Sequence, residues 1–276
     1  MKWHARAKQR NSNAQPMPDT ERYLEGRHAI VTGGGRGIGA AVATDFVARG
    51  AKVTIMGRHR ESLEQRAAEL RGESGVTVAV EECDVADGAS VTAAFSRAIA
   101  NLGPAYVLVN NAGTAKSRMF TQLTREIWDE TISTNLTGTY LCTAEVLPSM
   151  IAAGEGRVVN VASTAGLRGY RTMSAYCASK HGIIGLTRAL ALETAKQGIT
   201  VNAICPSYTD TYLTSLAVNN IVENLKKTPE EALLMLSGPR GRLITPEEVA
   251  SAVSWLCSPD ASGVSGIALP IAGAEL

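Results

Sequence analysis

The sequence lacks the features that mark membrane, secreted and nucleic-acid-binding proteins. It contains no run of about 18 apolar residues, so we expect no transmembrane helix. The N-terminus has no apolar stretch of the kind found in secretory signals. The 27 basic and 26 acidic residues nearly cancel, which disfavours a broad basic surface for nucleic acid. We therefore expect a cytoplasmic protein that acts on a small molecule.

Cysteine is scarce and shows no pairing pattern. The number of cysteines is odd, and they form neither a CxxC motif nor a Cys/His cluster with metal-ligand spacing. We expect reduced thiols and no bound metal. The five residues are Cys83, Cys142, Cys177, Cys205 and Cys257.

The first 20 or so residues have a composition different from the rest. They carry four basic residues and no acid before Asp19, and Pro16 and Pro18 follow the basic part. We interpret residues 1–25 as a flexible extension, with a transit peptide as the alternative. The catalytic domain is then expected to span residues 26–276.

From His28 onward, short β-branched runs alternate with longer helical patterns. Examples are "HAIVT" before "GAAVATDFVARG" and "KVTIM" before "RESLEQRAAELR". This alternation predicts an α/β fold of one domain: a doubly wound parallel sheet of the Rossmann type, with about seven strands and helices on both faces. The segment 207–245 has no strand character beyond its first residues, and we expect it to form a helical lid over the substrate.

A glycine-rich turn, "TGGGRGIG" at 32–39, joins the first strand to the first helix. Glycines allow the backbone to approach a pyrophosphate closely, and the helix N-terminus supplies N–H donors. The spacing fits two registers, GxGxxA from Gly35 or TGxxxGxG from Gly33. The turn predicts a dinucleotide site at Gly33, Gly35, Arg36, Gly37, Ile38 and Gly39.

The end of the second strand, "IMGRHR" at 55–60, has no acid to bind a ribose 2′-hydroxyl. Arg58, helped by Arg36, is suited instead to neutralise a 2′-phosphate. We therefore predict a preference for NADP(H), with NAD(H) left open as the alternative.

In "SAYCASKH", Tyr176 and Lys180 are four residues apart in a helical pattern, and so lie on one helix face. With "TGGGRGIG", "NNAG" at 110–113, Asn135 in "STNLTG" and Ser163, they stand in an order that resembles the classical short-chain dehydrogenase/reductase family from about Gly26 onward. The pattern is most similar to 3-oxoacyl-thioester reductases and 3-hydroxyacyl dehydrogenases.

The resemblance implies a role for each matching residue. Tyr176 would be the general acid/base, Ser163 would polarise the substrate carbonyl, and Lys180 would bind the cofactor ribose. Asn135 would hold the water that continues the proton relay. Further cofactor contacts are implied for Asp84, Val85, Asn111, Ala112, Gly113, Tyr176, Lys180, Pro206, Ser207, Thr209 and Thr211.

A free phenol has a pKa of about 10, too high for easy proton exchange at neutral pH. We expect the ammonium of Lys180 and the oxidised nicotinamide to lower the pKa of Tyr176.

Two stretches depart from the family pattern. Pro206 is followed by Ser207 where a glycine is usual, and the last residues read "ALPIAGAEL" where many relatives have an Asp-Gly-Gly turn. The first departure weakens the case for contacts between this loop and the nicotinamide amide. The second weakens the case for the family's contacts between subunits.

The resemblance implies an oxidoreductase that transfers hydride between the cofactor and a carbonyl or secondary alcohol. We expect a 3-oxoacyl thioester of the CoA type, with Arg118, Arg168 and Arg171 as candidate phosphate or carboxylate contacts. The alternatives are a dehydrogenase of another secondary alcohol (small, aromatic, sugar acid or steroid) and a non-catalytic NADP(H)-binding regulator. A homotetramer, or a homodimer, is expected because the family commonly pairs two long helices across a two-fold axis.

Overall fold

The computed structural model describes residues 22–74 and 76–276. Strands β1 to β7 span His28–Thr32, Lys52–Gly57, Val78–Glu82, Ala105–Asn110, Gly156–Val161, Ile199–Pro206 and Ala268–Ile271. Helices α1 to α9 span Gly37–Ala48, Arg60–Ser74, Gly88–Leu102, Arg125–Ile132, Gly138–Ala153, Ser174–Glu193, Tyr212–Leu225, Pro229–Leu236 and Pro246–Cys257.

The strands form one parallel sheet in the order β3-β2-β1-β4-β5-β6-β7. Val31 of β1 lies beside Ile55 of β2 on one side and Val109 of β4 on the other. The strand order therefore reverses between β1 and β4, where a doubly wound sheet leaves a crevice at the carboxyl ends of its strands. The predicted doubly wound sheet of seven strands is confirmed.

Two apolar layers cover the sheet. On one face, Phe46 of α1, Leu63 of α2 and Val253 of α9 belong to the same buried layer as Val31. On the other, residues of α3 and α5 such as Phe95 and Cys142 belong to the same buried layer as Ile30. Successive β1 residues enter opposite layers because side chains alternate along a strand. Burial on both faces explains why these strands read as continuous apolar runs.

The folded part begins earlier than expected. Leu24 is fully buried, and the Tyr23 hydroxyl donates a 2.6 Å hydrogen bond to the Ser254 carbonyl. The extension was predicted to reach residue 25, and this was wrong for Tyr23 and Leu24, because their side chains pack into the apolar layer that contains residues of α1 and α9. The rest of the predicted extension lies outside the described residues.

A π-helical turn at Ser133–Thr137 separates α4 from α5. The later segment at 207–245 contains α7 and α8, and a bridge between Thr209 and Ile244 joins its two ends. Among the described residues, none of the helices combines the length and apolar character needed to cross a membrane.

Candidate active site

A cavity of about 980 Å³ lies beyond the carboxyl ends of β4, β5 and β6. Its wall includes Asn111 after β4, Ser163 after β5 and Ser207 after β6. Apolar residues of α7 and α8 face it from the other side, namely Leu213, Leu216, Ile221, Leu225 and Leu236. Parallel strands bring their carboxyl ends to one edge, so distant segments of the chain meet here.

The glycine turn follows β1 at this edge, and its geometry decides between the two registers. Gly33 and Gly37 have φ angles of +65° and +55°, where glycine is favoured. A Cβ on Gly39 would lie 2.3 Å from the Gly33 carbonyl oxygen. Gly35 has neither constraint, since its Cβ would meet nothing closer than the flexible Leu63 side chain at 3.3 Å. The TGxxxGxG register is therefore the one that the backbone requires.

The end of the turn is suited to bind an anion. Arg36 precedes α1, and no side-chain hydrogen bond caps this helix start. Uncapped N–H groups at a helix N-terminus attract phosphate. The Arg36 guanidinium stacks 4.7 Å from the ring centroid of Tyr212, the first residue of α7.

The NNAG segment holds the glycine turn in place. The Asn111 side chain donates to the carbonyls of Thr32 and Gly33 at 2.9 and 3.2 Å. The backbone N–H groups of Asn111 and Ala112 donate to the Thr32 hydroxyl. The segment predicted to touch the cofactor thus also braces the turn beneath it. Gly113 follows, with Asn135 close to its α-carbon.

Other predicted cofactor residues surround the same turn. Gly34 donates its backbone N–H to the Met56 carbonyl, which keeps the end of β2 and the exposed Arg58 beside the turn. The Asp84 carboxylate accepts from the Ala86 N–H, while Asp87 caps α3. Asp84 is therefore not that helix's cap. Val85 is buried against Gly138.

Ser163, Tyr176 and Lys180 meet on the cavity wall. Ser163 lies two residues beyond the end of β5, where its hydroxyl accepts from the Ala165 N–H at 3.1 Å. The Ser163 hydroxyl lies close enough to the Tyr176 phenol to influence its ionisation. The buried Lys180 ammonium donates to the Val161 carbonyl at 2.7 Å and lies 5.5 Å from the Tyr176 ring centroid.

Burial shifts both ionisable groups. It raises the pKa of Tyr176 to about 12, although the nearby Ser163 hydroxyl opposes the shift and the ring keeps some exposure to the cavity. Burial lowers the pKa of Lys180 to about 8. The expected lowering of the Tyr176 pKa by Lys180 was wrong for the protein by itself, because desolvation disfavours both charged forms.

Asn135 lies in the π-helical turn and is fully buried. Its side-chain oxygen accepts from the Thr114 N–H at 2.8 Å, and its amide nitrogen donates to the Thr114 carbonyl and the Ser179 hydroxyl. Ser179 in turn donates to the Tyr176 carbonyl. Asn135 therefore connects the segment after β4 with the helix that carries Tyr176. The apolar periodicity gave no signal for this turn.

A polar cluster after β6 was missed by the sequence reasoning. The Glu275 carboxylate accepts from the hydroxyls of Ser207 and Tyr170 and forms an ion pair with Arg168. Arg168, expected to bind a substrate anion, is thus already neutralised. The signal was present, since Ser207 and the last residues are the two stretches that depart from the family pattern.

The other predicted residues of this loop are placed by backbone and packing contacts. The Pro206 carbonyl accepts a 3.5 Å hydrogen bond from Ser163. Thr209 bonds to the Ser207 carbonyl, and Thr211 precedes α7 within contact distance of the position a Gly37 Cβ would take. Ile38 and Thr211 also line the cavity.

A family model described as short chain dehydrogenase matches residues 27–221. The chain belongs to the short-chain dehydrogenase family. It is therefore an oxidoreductase of a family that binds a nicotinamide cofactor.

Relatives of this short-chain dehydrogenase align over nearly their full length. An acetoacetyl-CoA reductase of Rhizobium meliloti is 40% identical over 90% of this chain and 98% of the relative. A D-threitol dehydrogenase of Mycolicibacterium smegmatis is 37% identical over 92% of this chain and 95% of the relative. A crystal structure of a single-residue variant of the actinorhodin polyketide ketoreductase with NADPH has a TM-score of 0.87 at 37% identity, covering 90% of this chain and 97% of that one.

Proposed function

We propose that this short-chain dehydrogenase reduces 3-oxoacyl thioesters of the CoA type with NADPH. The observation that carries the proposal is the meeting of Ser163, Tyr176 and Lys180 on a cavity of about 980 Å³. Its opposite wall is apolar, as suits an acyl chain. The relatedness to an acetoacetyl-CoA reductase and a polyketide ketoreductase supports this substrate class.

The proton chemistry follows from the state of Tyr176. With a pKa of about 12, its phenol is protonated at neutral pH and can donate a proton to the substrate carbonyl oxygen. Ser163 Oγ donates a hydrogen bond to the same oxygen and stabilises the charge that develops there. The bound nicotinamide supplies the hydride to the carbonyl carbon. The product is a secondary alcohol, and Tyr176 must then be reprotonated.

Lys180 and Asn135 have supporting roles in this proposal. The Lys180 ammonium binds the hydroxyls of the cofactor ribose and, while charged, favours the phenolate that forms when Tyr176 has given up its proton. Asn135 fixes Thr114 and, through Ser179, the start of α6. The relay water that we assigned to Asn135 stays a prediction.

The cofactor preference rests on charge. Arg58 is exposed beside the glycine turn, and Arg36 lies at the start of α1, so we assign both to the 2′-phosphate. We assign cofactor contacts to Gly33, Gly35, Arg36, Gly37, Ile38, Gly39, Arg58, Asp84, Val85, Asn111, Ala112, Gly113, Tyr176, Lys180, Pro206, Ser207, Thr209 and Thr211.

The quaternary proposal rests on exposed apolar side chains. Tyr140 and Ile151 on α5 and Leu192 on α6 are exposed to solvent. We propose that these helices pair across a two-fold axis in a homotetramer or homodimer. Light scattering that gives the mass of a monomer would exclude both.

The test is a comparison of substrates. We expect oxidation of NADPH, faster than that of NADH, with acetoacetyl-CoA and longer 3-oxoacyl-CoA esters. Free 3-oxo acids and simple ketones should react more slowly, and D-threitol with NADP⁺ or NAD⁺ slowest of all. Turnover of D-threitol alone would favour the polyol alternative. No turnover of any carbonyl or alcohol, with NADPH still bound, would favour the regulator.

A further inference from the structure

Two arginines line the cavity without an acidic partner. Arg118 follows β4 and Arg171 follows β5, and both are exposed. Across residues 22–74 and 76–276, neither guanidinium forms an ion pair, whereas the nearby Arg168 is bound to Glu275. Sequence analysis gave the three arginines the same role. In the described part of the structure, the charge of Arg168 is neutralised, whereas the charges of Arg118 and Arg171 are not.

The backbone at Thr172 joins the two segments that carry these arginines. The Thr172 carbonyl accepts from the Arg118 N–H at 2.8 Å, and the hydroxyls of Ser117 and Thr172 are 2.7 Å apart. Thr172 itself has a φ of +67°, a conformation that is rare and strained for a β-branched residue. Strain of this kind persists where surrounding contacts enforce it, and it is concentrated at ligand sites.

An acidic residue on the cavity wall does not neutralise Arg118 or Arg171. Glu223 on α7 also lines the cavity, yet it forms no ion pair with either arginine. An Arg118 side-chain N–H donates to the Ser117 carbonyl, which uses only one of its five donors. The planar guanidinium matches phosphate oxygens in a bidentate arrangement.

We propose that Arg118 and Arg171 form a binding site for the phosphate groups of a CoA thioester at the edge of the cavity. This site rests on the proposed function and extends it, because it specifies which residues recognise the CoA part of the thioester. The acyl end lies between Ser163, Tyr176 and the apolar side of α7, while the anionic end contacts the two arginines.

Calorimetry with acetyl-CoA, in the presence of saturating NADP⁺, tests the site without turnover. NADP⁺ keeps the CoA nucleotide out of the cofactor site. Arg118→Gln and Arg171→Gln should each weaken acetyl-CoA binding by about fivefold to tenfold, as expected for loss of one exposed charge-assisted contact. Binding of S-acetyl-N-acetylcysteamine, which has no phosphate, should not change.

Lys196→Gln is the matched control, because it removes one exposed positive charge shortly before the start of β6, at the opposite edge of the sheet. It should leave acetyl-CoA binding as in the parent. No acetyl-CoA binding to the parent, or equal weakening of all three variants, would overturn the site. Weakening of both thioesters alike would also overturn it.

Turnover separates this site from the proposed function. If acetyl-CoA binding depends on both arginines but no 3-oxoacyl thioester is reduced, the site stands and the proposed reaction fails. If 3-oxoacyl-CoA and its N-acetylcysteamine analogue are both reduced, and the variants do not change their KM ratio, the reaction stands and the site fails. Weakened kinetics with free 3-oxo acids alone would assign the arginines to a carboxylate and overturn the phosphate site.

Discussion

The cofactor side and the substrate side of the cavity lie at the same sheet edge but are held together in different ways. The glycine turn after β1 is shaped by close backbone approach, as shown by the 2.3 Å between a Gly39 Cβ and the Gly33 carbonyl. The loops after β5 and β6 are held by side chains, including the Glu275 carboxylate and the hydroxyls of Ser207 and Tyr170. A site built on backbone sterics tolerates few substitutions, whereas one built on side-chain contacts can change its substrate.

The largest effect is expected at the residue where the two sides meet. Tyr176→Phe removes the proton donor, and we expect turnover to fall by about 10²- to 10⁴-fold, the usual contribution of a general acid. NADPH affinity, measured by fluorescence titration, should stay within about threefold, because the ring remains. Tyr106→Phe, near the amino end of β4 and so at the sheet edge opposite the cavity, is the control and should be fully active. Equal activity of the two variants would exclude Tyr176 as the acid.

The steric character of the cofactor side is tested within the glycine turn. Gly39→Ala forces a methyl group against the Gly33 carbonyl, and we expect a loss of about 1–3 kcal/mol in the free energy of unfolding together with weaker NADPH binding. Gly35→Ala is the control, with an expected loss below about 1 kcal/mol because Leu63 can move. Thermal denaturation and NADPH titration measure both. Equal losses would contradict the TGxxxGxG register.

Charge on the cofactor side should decide between NADPH and NADH. Arg58→Gln is expected to raise the KM for NADPH by about tenfold and to leave that for NADH unchanged, since only NADPH carries the 2′-phosphate. Arg60→Gln is the matched control, because Arg60 is exposed and already paired with Glu64. A similar change in both KM values would remove Arg58 from the 2′-phosphate.

The pH dependence of activity should report the charge on Lys180. Its pKa is lowered to about 8, so its ammonium is lost as the pH rises through that value, whereas Tyr176 with a pKa of about 12 stays protonated. We expect kcat/KM for NADPH, which reports the free enzyme, to fall by up to about tenfold per pH unit above about pH 8. A flat profile between about pH 7 and about pH 10 would show that the charge on Lys180 is not needed.

The smallest effect is expected on the substrate side. Glu275→Gln removes the charge that neutralises Arg168 but keeps the side chain's shape, so we expect kcat/KM to fall by about threefold to tenfold through a looser loop after β6. Glu193→Gln, at the end of α6, is the control and should behave as the parent. If Glu275→Gln also has no effect, the cluster does not position the loop.

The predictable part of the site was encoded locally. Sequence analysis identified the glycine spacing, the pair Tyr176 and Lys180, and the apolar runs of the strands. These features are local because backbone sterics and side-chain periodicity act over a few residues. The bounds of β1 matched the predicted run "HAIVT" for the same reason. These features were enough to give the sheet, the family and the candidate residues.

Contacts between distant segments and the degree of burial required the tertiary structure. Asn111 braces the glycine turn from 78 residues away, and Arg168 meets Glu275 across 107 residues. The same packing excludes water around Tyr176 and Lys180 and reverses the expected pKa shift of the phenol. Sequence alone determined the glycine turn and the pair Tyr176 and Lys180, because local patterns name them. Only the fold decided which charges are neutralised and which stay available, because those depend on neighbours brought together by packing.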